Sequence, residues 1–281
     1  MKDNKVINDF GDEWDRFNFL DEIELLKLEN QFNKYISPLA SNFLREGALV
    51  AADFGAGSGR WSHFLKKYCS KLYVVEPSEK AFKVCQRRFK ETKIICLNQS
   101  VADNDVPESS LDLAISLGVL HHIPDTRQAI EQVGKKLKAG GVFLCYLYYA
   151  LENKPLVYRL IWKISDAIRK ITSRLPKPLK FFLAEVLALL VYLPLARISK
   201  LLEKQGKSVN KIPLHHYRDL SFKVMRNDAL DRFGTSLEQR FTRSEITEML
   251  DNSGFDIDSL KFSMDEPFWT FAVKKSNRRA I

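Results

Sequence analysis

The sequence predicts a doubly wound α/β fold: a mostly parallel sheet with helices on both faces, carrying a basic helical insertion. Three observations carry that prediction. First, the apolar run 48–52 leads into Asp53-Phe54-Gly55-Ala56-Gly57-Ser58-Gly59, and residues 60–65 follow with helical spacing. A strand, a glycine-rich turn and a helix in that order form a ligand-cradling element. Second, Glu76 closes the next apolar run, 72–75, where an acid is placed to hold a ribose through both hydroxyls. Third, short apolar runs alternate with helical stretches of about ten residues through the first half of the chain, the pattern of a parallel sheet covered on both faces.

The elements follow in order. Pro77 and Ser78 open a helix over 78–90, with Ser78 as its cap. Residues 93–97 and 111–116 read as the third and fourth strands. The stretch 127–138 is amphipathic, with Ile130, Val133, Gly134 and Leu137 on one side, and Ala139-Gly140-Gly141 is expected to end it before a fifth strand at 142–147. Phe241-Thr242-Arg243-Ser244-Glu245 reads as the capped start of a last helix, followed by strands at 257–262 and 268–273. Ligands of such sheets bind beyond the carboxyl ends of the strands, where the Gly55 turn and Glu76 lie.

The glycine spacing separates two nucleotide-type ligands. A dinucleotide fingerprint needs a third glycine where Arg60 stands. Asp53, just before the turn, suits a cationic ammonium and would repel a pyrophosphate. The Asp-x-Gly-x-Gly-x-Gly pattern resembles the first motif of the class I S-adenosylmethionine-dependent methyltransferases, and other segments agree. Val74-Val75-Glu76-Pro77-Ser78 resembles the second motif, and Asn98-Gln99-Ser100-Val101-Ala102 occupies the place of the adenine-binding turn. Leu117-Gly118-Val119-Leu120-His121-His122-Ile123-Pro124-Asp125 is similar to the fourth-strand motif of small-molecule members, and Leu137-Lys138-Ala139-Gly140-Gly141 to the turn into the fifth strand.

The resemblance implies a Rossmann-like seven-stranded sheet with an antiparallel last strand and S-adenosylmethionine as cofactor. It places that cofactor against Asp53, Gly55, Ala56, Gly57, Gly59, Glu76, Pro77, Ser100, Val101 and Leu117. Many relatives carry an aspartate where Val101 stands. Trp14, in an aromatic and charged leader, would fold over the cofactor or clamp the main domain. His121 is the candidate general base, needed only if the acceptor loses a proton as it attacks. No metal site is expected: the histidines lack a metal-ligand spacing. The adjacent pair His215 and His216 would point to opposite sides on any extended backbone, so at most one is expected to face the pocket.

Composition adds a division of charge. Residues 150–227 hold 16 Lys and Arg against 5 Asp and Glu, a net of +11, whereas the whole chain carries +9, which leaves −2 elsewhere. Within this insertion, Leu156, Leu160, Ile164, Ile168, Ile171 and Leu175 share one helical face, and Arg159, Lys163, Asp166, Lys170 and Arg174 share the other. Residues 181–196 are nearly all apolar, interrupted by Glu185 and Pro194. The expected organisation is a segment 1–46 over the cofactor, a core 47–149, a helical lid 150–238, and a closing helix and two strands in 239–281. The lid is expected to shape a substrate pocket or to make peripheral membrane contact through 156–198.

The acceptor is accordingly expected to be a small molecule, a lipid or a lipid-linked glycan. Alternatives are a non-catalytic S-adenosylmethionine-binding regulatory module and a nucleic-acid methyltransferase. Basic charge permits the latter, but Ser116-Leu117-Gly118-Val119 stands where amino-methylating nucleic-acid enzymes carry a polar-Pro-Pro-aromatic signature. Four cysteines without metal spacing are expected as buried free thiols. The chain opens on polar and acidic residues, so the expected location is cytoplasmic, or peripheral on the inner face of a membrane.

Overall fold

The computed structural model describes residues 22–152, 156–209, 212–263 and 269–277. Its strands are β1 (Leu49–Phe54), β2 (Cys69–Val75), β3 (Ile94–Leu97), β4 (Leu111–Leu117), β5 (Leu137–Leu147), β6 (Phe255–Phe262) and β7 (Trp269–Lys275). Its helices are α1 (Glu22–Tyr35), α2 (Arg60–Leu65), α3 (Glu79–Arg88), α4 (Thr126–Lys136), α5 (Leu156–Thr172), α6 (Lys177–Leu187), α7 (Leu193–Lys204), α8 (Phe222–Gly234) and α9 (Arg243–Asn252).

All seven strands form one sheet in the order β3-β2-β1-β4-β5-β7-β6. The pairs β1–β2, β1–β4, β2–β3 and β4–β5 are parallel, while β7 runs antiparallel to both β5 and β6. The chain enters in the middle and winds outward twice, so the crossover between β1 and β4 is the switch point at which such sheets bind ligands. Register puts the strand ends level: Phe54 lies opposite Val75, Val75 opposite Leu97, and Asp53 opposite Ile115. The turns leaving β1, β2, β3 and β4 therefore gather at one edge.

The strands form because they are buried on both faces. Ala51, Ala52, Phe54, Leu72, Leu113 and Ile115 are fully enclosed, and continuous apolar runs of this kind suit a parallel sheet. Phe32 of α1 stacks on Phe64 and Trp61 of α2, with ring centroids at 5.6 and 6.2 Å. Helix α4 starts where Asp125 accepts from the Gln128 amide (2.8 Å) and buries Ala129, Ile130 and Val133. Helix α9 carries a complete capping box: the Glu245 amide donates to Thr242 Oγ1, and the Thr242 amide donates to Glu245 Oε2.

Two local expectations change. Ser78 sits at the start of α3 without capping it through its side chain. Residues 138–141 do not end a helix: α4 stops at Lys136 and β5 begins at Leu137. Opposite β4 the register jumps, since Leu111 faces Leu137 but Leu113 faces Val142, so the intervening residues form a bulge. Gly140 has φ +75°, and a Cβ on Gly141 would lie 2.8 Å from the Leu111 carbonyl oxygen, which is why glycines stand there.

The described residues divide into two compact units, one of 29–152, 237–263 and 269–277 around the sheet, the other of 156–209 and 212–236 with 22–28. In the second, α6 and α7 run on through a π turn, Ala188–Tyr192, as one helical length Lys177–Lys204. Pro194 follows the turn: it has no N–H for the ladder, and the widened turn takes up the mismatch. Helix α8, which no sequence pattern announced, packs against both α5 and α6. It buries Val224, Met225, Asn227, Ala229, Leu230 and Phe233 around most of its circumference, so it shows no amphipathic stripe. Carbonyls at its C-terminal end attract cations: Arg169 Nη1 donates to Thr235 and Ser236 oxygens (3.2 Å each), and Lys180 Nζ to the Gly234 oxygen (3.2 Å). His215 and His216 lie on a short 3-10 turn, His215–Asp219.

Candidate functional site

At the carboxyl edge of the sheet, Glu76 is the centre of a clasp. The Gly57 amide donates to its Oε2 and the Ser78 amide to its Oε1, both at 2.8 Å. One carboxylate thus joins the glycine turn after β1 to the start of α3, and each oxygen keeps a lone pair for a further donor. Asn98 Nδ2 donates to the Glu76 carbonyl (2.9 Å), which draws the loop after β3 to the same place. Within that loop Asn104 Nδ2 donates to the Ser100 and Val101 carbonyls, Ser100 is half-buried, and Val101 is buried.

The turn is fixed by packing as well as by conformation. Gly55, Gly57 and Gly59 have φ of +77°, +57° and +78°. A Cβ on Gly55 would lie 2.4 Å from Val119 Cγ1, and one on Gly59 would lie 2.5 Å from Phe89 Cε2. The amides of Gly55 and Ala56 both donate to the Val75 carbonyl, binding the turn to the end of β2. Ala56 is buried, Pro77 half-buried beside Glu76, and Leu117 buried at the end of β4. Ser58 Oγ is fully buried with no partner among the described residues. Buried hydroxyls are costly to leave unsatisfied, so this one suits a polar ligand in the cradle.

Asp53, one residue before the end of β1, is held by the helix that follows the turn. Its carboxylate is enclosed in the sheet edge, and Ser62 Oγ donates to its Oδ2 at 2.6 Å, so it braces β1 against α2. Burial pushes its pKa up to about 7, with the Ser62 bond opposing. Burial also lifts Glu76 to about 7 against its two backbone bonds, and the nearby Asp53 adds to the rise.

A second cluster adjoins the ends of β4 and β5. The His121 ring is fully buried, stacks on Tyr148 (centroids 3.8 Å apart, planes at 22°) and lies 4.2 Å from His122. Neither ring nitrogen of His121 has a partner among the described residues. Burial, with His122 and Arg240 adding to it, holds the imidazole pKa well below the ordinary value, so the ring is neutral. His122, by contrast, is anchored through Nδ1 to the Leu237 carbonyl at 2.6 Å. Arg240 lies over the Tyr148 ring (5.0 Å) and pairs with Glu238.

The edge thus brings together Asp53, the Gly55–Gly59 turn, Glu76, Pro77, Ser100, Val101 and Leu117, with His121 on the adjoining strand ends. Trp14 lies outside the described residues. Sequence reasoning gives no individual role to Ser62, Asn98 or Val119: the first two act through single hydrogen bonds, the third through its closeness to Gly55. Cys69, Cys85 and Cys145 are buried free thiols and Cys96 is partly buried, each pushed above the usual thiol pKa by burial.

Residues 52–145 match a family model described as a methyltransferase domain. An uncharacterized methyltransferase of Mycobacterium tuberculosis is 27% identical over 95 residues, 34% of this chain and 48% of that protein. One of Bacillus subtilis is 27% identical over 107 residues, 37% of this chain and 42% of its own. The chain spans about half the length of the curated relatives it matches. Among solved structures, magnesium protoporphyrin IX methyltransferase from Synechocystis, with bound S-adenosylhomocysteine, superposes with a TM-score of 0.52 at 14% identity, over 94% of each chain. Human N-acetylserotonin methyltransferase, in complex with S-adenosylmethionine, gives 0.50 at 14%, over 90% of this chain and 56% of its own. These two likenesses concern the fold. With the strand order, the clasped acid and the family match in agreement, residues 52–145 are a methyltransferase domain of the class I S-adenosylmethionine-dependent type.

Proposed function

We propose that the protein is an S-adenosylmethionine-dependent methyltransferase. The observation that carries this reading is the Glu76 clasp within the matched domain. A buried carboxylate, held by the Gly57 and Ser78 amides with a lone pair left on each oxygen, suits a ribose diol. The cofactor supplies an electrophilic methyl group on its sulfonium. What the chain supplies is position: the Gly55 turn is too narrow for side chains, and the loop at Ser100 and Val101 lies beside the clasp where an adenine would rest. Positioning two reactants in line is the main protein contribution to such a transfer.

His121 is assigned the base role. Its neutral imidazole, with both nitrogens unpartnered among the described residues, can take the acceptor's proton as the methyl bonds to the acceptor atom. Oxygen acceptors with high pKa need this help; amines that arrive deprotonated do not.

The acceptor we infer is a lipid or lipid-linked molecule, and the working place is the cytoplasmic face of a membrane. The support is the helical unit, whose surface joins exposed aliphatic side chains to basic ones. The test is in two parts. S-adenosylhomocysteine at millimolar concentration raises the thermal midpoint of the full chain, because a ligand of the native state stabilises it. S-adenosylhomocysteine is then formed from S-adenosylmethionine with isoprenoid- or acyl-linked acceptors rather than with water-soluble catechols and amines. No thermal shift overturns the methyltransferase reading. Turnover with soluble acceptors alone overturns the lipid-linked one. His121→Phe keeps the thermal shift and lowers kcat by about a hundredfold or more, and an unchanged kcat removes the base assignment.

A further inference from the structure

Apart from Leu26, the exposed large apolar side chains among the described residues all belong to α5 and the α6–α7 length. On α5 they are Leu156 (80% exposed), Leu160, Ile161, Ile164, Ile168 and Ile171 (66%). A helix advances by about 100° per residue, which sorts α5 into three arcs. These apolar residues fill an arc of roughly 140°. Arg159, Lys163 and Lys170 stand beside it within roughly 40°, and Arg174 follows just past the helix end, all exposed. The remaining side, with Ser165, Asp166, Arg169 and Thr172, turns inward, where Arg169 bonds to Asp166 (2.7 Å) and to the end of α8. The α5 helix therefore hides its polar stripe and shows its apolar one.

The α6–α7 length does the same. Lys180, Ala184, Ala188, Tyr192, Ala196 and Ser199 are buried along one side, while Leu179, Phe182, Leu189 and Leu190 (67%) are exposed on the other. This 28-residue helix is long and apolar enough to cross a membrane. Its buried side argues that it does not cross. Lys180 Nζ is held by the Gly234 carbonyl and Glu185 pairs with Arg226 of α8. A spanning pose would draw these polar groups and α8 with them into hydrocarbon.

Soluble proteins rarely line one helix face after another with exposed large aliphatic side chains. We propose that the exposed faces of α5 and of the α6–α7 length dock in the plane of an anionic bilayer. In this pose the aliphatic side chains reach the acyl boundary, and the basic arc meets acidic headgroups. Charge selects this occupant over a second copy of the chain. Pairing the face with itself would set one basic arc close to another, whereas an anionic leaflet complements it. The division of charge agrees: residues 150–227 hold +11 and the rest of the chain −2, so a negative surface attracts this segment rather than the remainder. Docking rests on the methyl-transfer reading for its purpose, which is access to a lipid-borne acceptor, but needs neither cofactor nor turnover.

The experiment is flotation of the full chain with vesicles of phosphatidylcholine alone and of equal phosphatidylcholine and phosphatidylglycerol. The protein floats with the mixed vesicles, and high salt releases much of it. Ile164→Ser with Ile168→Ser lowers the bound fraction tenfold or more, while the S-adenosylhomocysteine thermal shift persists. Glutamine at Arg159, Lys163 and Arg174 lowers partitioning by about fivefold per residue. Absence of flotation with either vesicle overturns the proposal. So does a wild-type dimer that the paired serine variant turns into a monomer, which would assign the face to self-association, or a gel shift of RNA without flotation. Loss of the thermal shift with flotation retained would remove the methyltransferase reading and leave the docking face standing.

Discussion

In the sheet unit, β1, β4 and β5 turn Phe54, Ile115 and Leu144 inward, while pairs such as Lys83–Glu79 and Lys135–Glu131 stand on its helices in water. In the helical unit, α5 turns Asp166, Arg169 and Thr172 inward and leaves Ile164 and Ile168 outside. The two arrangements treat their buried groups differently. The first excludes apolar surface from water; the second saturates charges with carbonyls and carboxylates and leaves apolar surface over. Water alone accounts for the first. The second makes physical sense beside a medium less polar than water. The polar seams of the helical unit also change how its basic charge is read. Arg169, Lys180, Arg218 and Arg226 are occupied in bonds within that unit, so only part of the positive excess faces outward.

The comparison breaks most readily at the centre of the sheet. Ile115 is fully buried on β4. Replacing it by alanine removes its transfer energy and leaves a cavity, at a cost of about 2–5 kcal/mol. Urea unfolding followed by circular dichroism measures it. A loss below about 1 kcal/mol, the range typical of peripheral substitutions, would mean that the sheet interior is not the close-packed core described above.

At the site, Glu76→Ala has the next largest effect. It removes the acceptor for two buried amides and, in the proposed function, for the ribose hydroxyls. A charge-assisted bond contributes about 1.5–3 kcal/mol, so the dissociation constant for S-adenosylhomocysteine rises by roughly 10- to 150-fold. Titration calorimetry reads the change, and unchanged affinity would detach Glu76 from the cofactor.

Much of this was legible in the sequence, and the exceptions share a cause. The strands around the switch point announced themselves as unbroken apolar runs, and the capping box of α9 as Thr242 with Glu245. The bulge at 138–141 was hidden because Gly140-Gly141 reads equally as a helix stop. Helix α8 was hidden because burial around most of its surface leaves no stripe to detect. Asp53 lies where the motif places it, and its bond from the Ser62 hydroxyl is a side-chain detail that spacing does not reveal. The periodicity of α5 was plain, yet periodicity gives two faces and not which one is inside. Hydrogen bonds from Arg169 and Thr172 to the end of α8 decide that, and they depend on an element 60 or more residues away.

The two site acids give a pH dependence with a definite sign. Asp53 is raised from 3.8 and Glu76 from 4.5, each to about 7. Below pH 7 the folded protein holds protons that the unfolded chain has released. Their contribution to stability is fully present below about pH 4 and is lost as pH rises through about 7. A cationic cofactor favours the ionised acids, so S-adenosylmethionine affinity rises between pH 6 and 8, by up to about tenfold per unit for each proton released, and levels off above. S-adenosylhomocysteine, which lacks the sulfonium charge, shows a shallower slope. Affinity that is flat across this range would mean that both carboxylates are already ionised in the free protein.

The smallest expected effect is the sharpest test of the comparison. Ile164 stands on α5 at 55% exposure, outside the polar seam that binds the helix to α8. Serine and isoleucine have similar helix propensities, so Ile164→Ser leaves the backbone term nearly unchanged. If the side chain faces solvent in the isolated protein, the substitution alters unfolding free energy by no more than about 0.5 kcal/mol. The same exchange of an aliphatic side chain for a small one at Ile115 would cost several times more, since there a cavity opens. Measured side by side in urea, the pair separates two accounts of the apolar face. A loss at Ile164 approaching that at Ile115 would show the face covered within the protein itself, and the docking proposal would lose its footing. Near-neutral stability together with a large drop in vesicle flotation would tie the face to the membrane, since a residue that adds nothing to folding would then be governing where the protein binds.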